Sequence, residues 1–304
     1  MEINTMPKNY DFVPFAKPNV KYSNSRDNSG RKSGYLKIKF IVEKELYVGS
    51  GFVSEAKNGF TYETMKHNGK CVIPGSSVKG VIRNICRAVS DGCIPFQKEK
   101  INVREDYKGK CIKGKKNGEF YDNWCIVCDM FGSINPTLKS RISFSDFVSE
   151  NAEVNITEKI QQFSPNPNSE SYSDDDGYHK GYKFYNSIYS KGYDDDYQGT
   201  QKIKIEKIEK GSEFEGKILF KNIKDEELSL LVFALGLDGN ILIKIGGFKA
   251  QGMGDMRSEC IELRFIDNKG EYNDGDITGY IKKYVNGYGS KFNAQIKKRI
   301  KDYY

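Results

Sequence analysis

Ile73-Pro74-Gly75-Ser76-Ser77-Val78-Lys79-Gly80-Val81-Ile82-Arg83-Asn84-Ile85 departs from an ordinary helix start, and its reading organises the rest of the chain. Val78, Val81, Ile82 and Ile85 recur at i, i+3, i+4 and i+7, which predicts a helix with one stripe on a core, running to about Ser90. Pro74-Gly75 breaks the preceding apolar run, and Ser76 or Ser77 suits the N-cap. No acid occupies the first turn, while Lys79, Arg83 and Arg87 fall four apart on another face. The free N–H groups and the positive end of the helix dipole are then left for an outside anion, so the stretch predicts a phosphate-binding entrance. A capped surface helix with solvated lysines is the alternative.

Strand patterns flank this helix. From Gly34, the residues Leu36, Ile38, Phe40 and Val42 alternate with Lys37 and Lys39 and predict a half-buried strand that ends at Gly49-Ser50-Gly51. Arg141 to Val148 alternates again, and so does Lys217 to Ile223. Asp225 opens a second helix on Leu228, Leu231, Val232 and Leu235, stopped by Gly236 or Gly239. Its first turn carries Asp225, Glu226 and Glu227, which satisfy the dipole internally, so this helix reads as structural. Ile241 to Ile245 and a run through Ile261, Leu263 and Phe265 complete the order strand, helix, strand, strand, helix, strand. That order predicts an α+β, ferredoxin-like βαββαβ core.

Around this core the composition changes. Residues 1–33 are polar except for Phe12-Val13-Pro14-Phe15 and predict an extended arm tacked down by that cluster. Residues 92–140 read as an irregular, cysteine-bearing insertion within a palm spanning 34–268. Residues 150–210 are rich in Ser, Asn, Asp, Gly and Tyr and predict a projecting insertion. Its runs Asp174-Asp175-Asp176 and Asp194-Asp195-Asp196 lack EF-hand spacing and read as solvated tips. Between them Tyr178-His179-Lys180-Gly181-Tyr182-Lys183-Phe184-Tyr185 interleaves rings with cations, which suits bases and phosphates, or a hairpin packing its own rings. Residues 269–304 form a basic tail, read as an amphipathic helix from Lys282 onward.

The balance of 48 Lys and Arg against 41 Asp and Glu gives a net charge of +7, which permits an anionic partner such as nucleic acid without demanding one. The 20 tyrosines offer flat faces for stacking as well as core packing. The start lacks a signal-peptide layout, and no stretch approaches the ~20 apolar residues of a bilayer span. A soluble, cytoplasmic protein with no membrane partner is expected. Seven cysteines, an odd set with no export signal, favour thiols or metal ligands over disulfides.

Two further constellations carry chemistry. Gly246-Gly247-Phe248-Lys249-Ala250-Gln251-Gly252-Met253-Gly254 lies between strands, whereas a dinucleotide or P-loop fingerprint must open a helix, which excludes those readings. Its glycines let backbone N–H groups approach a ligand, with Lys249 adding charge, and the loop is expected beside the first helix entrance as one anion-binding edge. Cys125-Ile126-Val127-Cys128 has zinc-knuckle spacing, and with Cys111 and Cys93 upstream it offers four thiolates for a structural zinc. Cys86 is the substitute for Cys93, and reduced thiols packed in the core are the alternative. His67 and His179 sit in no triad or hydrolase pattern, so acid-base catalysis is poorly supported.

In order along the chain, the stretch Ile73 to Arg83, then Cys125-Ile126-Val127-Cys128-Asp129-Met130-Phe131-Gly132, then Gly246 to Gly254 resemble the three hallmark motifs of RAMP proteins, the CRISPR-associated subunits that form the guide-RNA-binding backbone of type III effector complexes. Asn9-Tyr10-Asp11-Phe12-Val13-Pro14-Phe15 and Gly181-Tyr182-Lys183-Phe184-Tyr185 resemble a subgroup of that superfamily. The resemblance implies a modified RRM-like palm, a thumb hairpin within 150–210, guide and target RNA as ligands, and other effector subunits as partners. It implies that Gly75, Ser76, Ser77, Lys79, Arg83 and Arg87 hold guide phosphates, together with Gly247, Lys249, Gln251 and Gly252. Target-cutting relatives carry an aspartate after the first strand, and here none lies between Asp27 and Asp91; Glu45, Glu55 and Glu63 are the acids available. A binding subunit without nuclease activity is therefore expected, with a RAMP-fold endoribonuclease that processes guide precursor or cuts target as the alternative.

Overall fold

The computed structural model describes residues 10–18, 20–22, 30–56, 59–94, 102–109, 111–116, 119–162, 170–186, 201–239 and 241–287. Its centre is the strand predicted from alternation, β1 (Lys32–Val42), which begins two residues before Gly34. Leu36, Ile38, Phe40 and Val42 are fully buried, whereas Lys37 and Lys39 reach Glu215 and Glu213, each at 2.8 Å, on the other face. The principal elements that follow are β2 (Lys70–Ile73), α1 (Gly75–Val89), α2 (Ile126–Phe131), β3 (Phe147–Val148), β4 (Glu213–Ile223), α3 (Asp225–Ala234), β5 (Ile243–Lys244), β6 (Asp255–Ile266) and α4 (Ile277–Gly287). The main sheet runs β5-β6-β1-β4-β3-β2, and the short strand Ile142–Phe144 also pairs with β4. Every neighbour in this order is antiparallel. The chain is thus mixed α+β and strand-rich, with four α-helices among the described residues.

Both predicted helices form. Helix α1 buries Val78, Ile82 and Ile85 of the predicted stripe, leaves Val81 half-buried, buries Cys86 and Val89 as well, and ends at Val89. Helix α3 starts at Asp225 as its acids indicated, but it buries every residue from Glu227 to Ala234 rather than one stripe. The reason is that α1 and α4 both pack against it. The α4 contact is polar at one end: Asp225 receives Lys32 at 2.8 Å, Lys283 at 3.0 Å and the Tyr280 hydroxyl at 3.0 Å. The tail helix therefore starts before Lys282, and its continuation beyond 287 lies outside the described residues.

Gly49-Ser50-Gly51 opens a strand instead of closing β1, because the chain turns there into a second sheet. Its four strands run Val154–Ile160, Lys202–Ile208, Gly59–Thr64, Gly49–Ala56, so both roots of the 150–210 insertion are bound to the segment that follows β1. Residues 92–140 are more regular than expected: Ile112–Lys116 and Glu119–Trp124 form a hairpin that leads into α2. The arm pairs through Tyr10–Val13 with Tyr182–Tyr185 and buries Phe12 and Val13. Rings of the 178–185 stretch are spent on that arm, with Phe15 against Tyr182 at 4.9 Å between centroids and Tyr10 against Tyr185 at 6.3 Å. Arg104 neutralises the first acidic run, at 3.1 Å from Asp174 and 2.6 Å from Asp176; the second run lies outside the described residues. Among the described residues, no helix is long and apolar enough to cross a membrane.

Phe147 lies fully buried with its ring 4.6 Å from that of Phe40, whereas Phe52 is 72% exposed. Phe147→Ala should cost about 3–5 kcal/mol in urea denaturation, and Phe52→Ala far less; equal losses would contradict the packing. The Asp225 carboxyl feels burial first, which raises it, yet the hydrogen bonds from Lys32, Lys283 and Tyr280 hold it down to about 2. Its stabilising contribution is present above the ordinary aspartate range and lost as pH falls toward 2. Asp225→Asn should therefore flatten the fall in melting temperature across that interval.

Candidate nucleic-acid interface and cysteine cluster

The entrance of α1 is not open in the way its sequence suggests. Pro74 is the N-cap residue and no side chain caps from within, so neither Ser76 nor Ser77 does so. The alternation of the Arg141–Val148 stretch breaks at Ser145-Asp146, and that break carries Asp146 across to accept the Gly75 N–H at 2.8 Å. Ser77 and Val78 N–H groups turn back to the Pro74 carbonyl at 2.9 and 3.2 Å. A carboxylate of the protein itself thus occupies the positive end of the helix, which corrects the expectation of an uncapped mouth. Ser76 and Ser77 remain exposed there. Gly75 is required sterically, since a Cβ would lie 2.5 Å from the carbonyl oxygens of both Phe144 and Ser145.

The cations of α1 also face inward. Lys79 Nζ donates to Ser140 Oγ at 2.8 Å and to the Ile142 carbonyl at 3.1 Å. Burial, then the charge of Arg83, holds it below the ordinary lysine range. Arg83 Nη2 donates to the Gly132 carbonyl at 2.7 Å, and the Nε atoms of Arg83 and Arg87 are buried without a partner. Lys79 and Arg83 therefore brace α1 against the 132–142 segment, so removing either side chain disturbs the fold as well as the surface charge.

In the glycine turn, the backbone donors expected to meet a ligand are used internally. Gly247 N–H donates to the Tyr47 carbonyl at 2.9 Å, Gly254 N–H to Glu45 at 2.8 Å and Gly252 N–H to Lys249 at 3.2 Å. A Cβ on Gly246 would lie 2.2 Å from the Tyr47 oxygen, so glycine permits close approach of two backbones rather than of a ligand. Gln251 is buried and clamps Ile160, accepting its N–H at 3.2 Å and donating to its carbonyl at 2.7 Å; it locks the root of the insertion. What the turn does present is charge. Lys244 and Lys44 lie 2.6 and 3.7 Å from the fully buried Asp255, and Lys249 has no acidic partner among the described residues. Burial first, and repulsion from Lys244 second, hold Lys249 below the ordinary lysine range. Tyr47 and Phe248 stand beside it edge to face, 5.4 Å between ring centroids.

The helix entrance and the glycine turn follow β2 and β5, five places apart in the order of the main sheet. A backbone route joins them: Tyr47 binds Gly247, Met65 N–H donates to Val48 at 2.6 Å, and Val72 N–H donates to Met65 at 3.0 Å. Tyr47, Val48, Met65 and Val72 thus link the two. Of the acids in that region, Glu45 is paired with Lys207 and with Lys159, while Glu55 lies on an outer strand.

The four predicted cysteines do meet: the sulfurs of Cys93, Cys111, Cys125 and Cys128 all lie within 4.8 Å of one another. Cys93 Sγ is 3.5 Å from Cys128 Sγ and 3.7 Å from Cys125 Sγ. Cys125 N–H points at Cys111 Sγ (3.2 Å) and Cys128 N–H at Cys125 Sγ (3.4 Å), as amide donors do around thiolates. Hydrogen bonds from Cys111 draw Cys125 and Cys128 below the ordinary thiol range, and the same contacts push Cys111 up. Softness, number and mutual distance of these donors suit a tetrahedral metal such as zinc. Cys86 is fully buried on the α1 stripe and is no substitute ligand.

Compared with families of known proteins, the chain matches the RAMP superfamily over residues 39–257. The chain belongs to the RAMP superfamily. The match takes in the α1 entrance, the cysteines and the glycine turn, and gives this RAMP protein a CRISPR-associated, RNA-binding role as its coarse assignment. No curated protein matches the chain. Sequence reasoning missed Asp146, Lys44, Lys244 and Asp255. Only Asp146 left a signal, as the polar break in an otherwise alternating strand. Gly75→Ala should cost about 1–3 kcal/mol by urea denaturation, because the added methyl meets two carbonyls; an unperturbed variant would contradict the close contact at the α1 entrance.

Proposed function

We propose that this RAMP protein is a guide-RNA-binding subunit of a type III CRISPR effector complex, holding the ribose-phosphate backbone without regard to base sequence. The observation that carries the reading is the glycine turn: Lys249 without an acidic partner among the described residues, beside Lys244 and two rings, at the edge of a sheet within the matched region. Cation and ring side by side suit single-stranded nucleic acid, the charge for phosphate and the ring for a base or sugar face. The exposed Ser76 and Ser77 hydroxyls are the second contact point. The strand order supports a ferredoxin-like palm: β6, β1, β4 and the Ile142–Phe144 strand take the fourth, first, third and second places of a βαββαβ unit, with α1 and α3 packed together. The insertion rooted at Val154–Ile160 and Lys202–Ile208 is the thumb of this reading, reaching target RNA and a neighbouring subunit. The cysteine cluster holds a structural zinc that fixes the 93–128 insertion to α1.

Binding of single-stranded RNAs of unrelated sequence should weaken steeply with salt, and Lys249→Ala should lower the log-log slope by about 0.7, one phosphate contact on a single strand. An unchanged slope, or dependence on one sequence, would contradict the reading. Clean cleavage of a labelled repeat RNA at a single position by the purified chain would select the endoribonuclease instead. Metal analysis should return about one zinc ion per chain, falling toward zero in Cys111→Ser.

A further inference from the structure

Arg83 and Arg87 pose an electrostatic problem. They lie one turn apart on α1, half-buried, each with a buried Nε that no group accepts among the described residues. Two like charges withdrawn from water destabilise the fold unless an anion sits between or beside them. The Arg83 side chain stands beside the Cys128 sulfur. The stem of Arg87 lies against the turn that leads to Cys93: a Cβ on Gly92 would stand 3.6 Å from Arg87 Cγ and 3.3 Å from Val127. Tyr182, 7% exposed and with no hydroxyl partner among the described residues, packs against Phe15 of the arm. A zinc ion held by four thiolates supplies such an anion from inside, since the unit is dinegative.

We propose that Arg83 and Arg87 are positioning residues of the cysteine site, paired by charge with its dinegative tetrathiolate, and are not RNA-phosphate ligands. The inference rests on the zinc reading given above. The guanidiniums lower the cost of keeping all four sulfurs deprotonated, so protons compete less well with the metal. The Arg83 bond to Gly132 carries the same coupling into the chain just after Cys128. Helix α1 and the cysteine-bearing insertion then share one electrostatic centre, and the surface left for RNA is the glycine turn and the outer face of the α1 entrance.

The test compares the full chain with Arg83→Met, which removes the charge, and Arg83→Lys, which restores it. Zinc transfer to a chelator is followed across pH, and RNA binding across salt. Arg83→Met should lose zinc affinity by roughly ten-fold and release the metal at higher pH. Arg83→Lys should recover most of both, and the salt slope of RNA binding should stay at its wild-type value in each. Zinc-loaded wild type with an insensitive Arg83→Met, or a slope that falls by about 0.7 in that variant, overturns the inference alone. Zinc-free wild type overturns the metal reading and this one with it. Should Arg83→Met fail to fold, Arg87→Met, which ties down no carbonyl among the described residues, carries the same expectations.

Discussion

The pairing of β1 along both of its edges is the constraint on which the rest depends. With β4 on one side and β6 on the other, the strand has no freedom of register, and its exit at Val42 is fixed in space. Everything that bears on function is hung from that exit. Asp255 receives the N–H groups of Glu43 and Lys44 at 2.8 and 3.2 Å, Glu45 receives Gly254, and Tyr47 receives Gly247. Two residues later the chain enters the second sheet, which binds the roots of the insertion on one side and, through Met65 and Val72, the approach to α1 on the other. A short length of backbone thus positions the glycine turn, the insertion and the helix entrance relative to one another, and Gln251 ties the turn to the insertion directly.

Charge is distributed over this frame unevenly. At the α1 entrance an intramolecular carboxylate satisfies the dipole, an effect of about 0.3–1 kcal/mol, so the helix end adds little attraction for an outside anion. Lys79 and Arg83 are consumed in bracing. At the glycine turn the position is reversed, since backbone donors are spent on Tyr47 and Glu45 while lysine charge remains in excess of Asp255. Attraction for a polyanion therefore comes from side-chain ammonium groups at the turn rather than from oriented amides, and it is correspondingly sensitive to salt.

Periodicity made much of the fold legible. Leu36 to Val42 and the stripe Val78, Ile82, Ile85 are local patterns whose burial follows from a single face, and both were placed correctly. Helix α3 was found but misread as one-sided, because nothing local to Leu228–Ala234 reports that α4 will cover its far side. The cysteine set was legible from spacing, since CxxC anchors a site and few other thiols were near in sequence. Functional roles at the α1 entrance were not. A helix start shows which donors are orphaned, but which group reaches them is decided by Asp146, some seventy residues downstream and exposed. The glycines of the turn carried the same ambiguity: close backbone approach was the right physical reason, and the partner was the chain itself at Tyr47 and Ile245.

Ultraviolet crosslinking of a bound single-stranded RNA, followed by mass spectrometry of the crosslinked peptides, tests the central claim most directly. Crosslinks on Tyr47 and on the peptide containing Phe248 and Lys249, with a second set at Ser76–Ser77, are the predicted result. Crosslinks confined to the arm and the Tyr182–Tyr185 strand, with none at the glycine turn, would contradict the account.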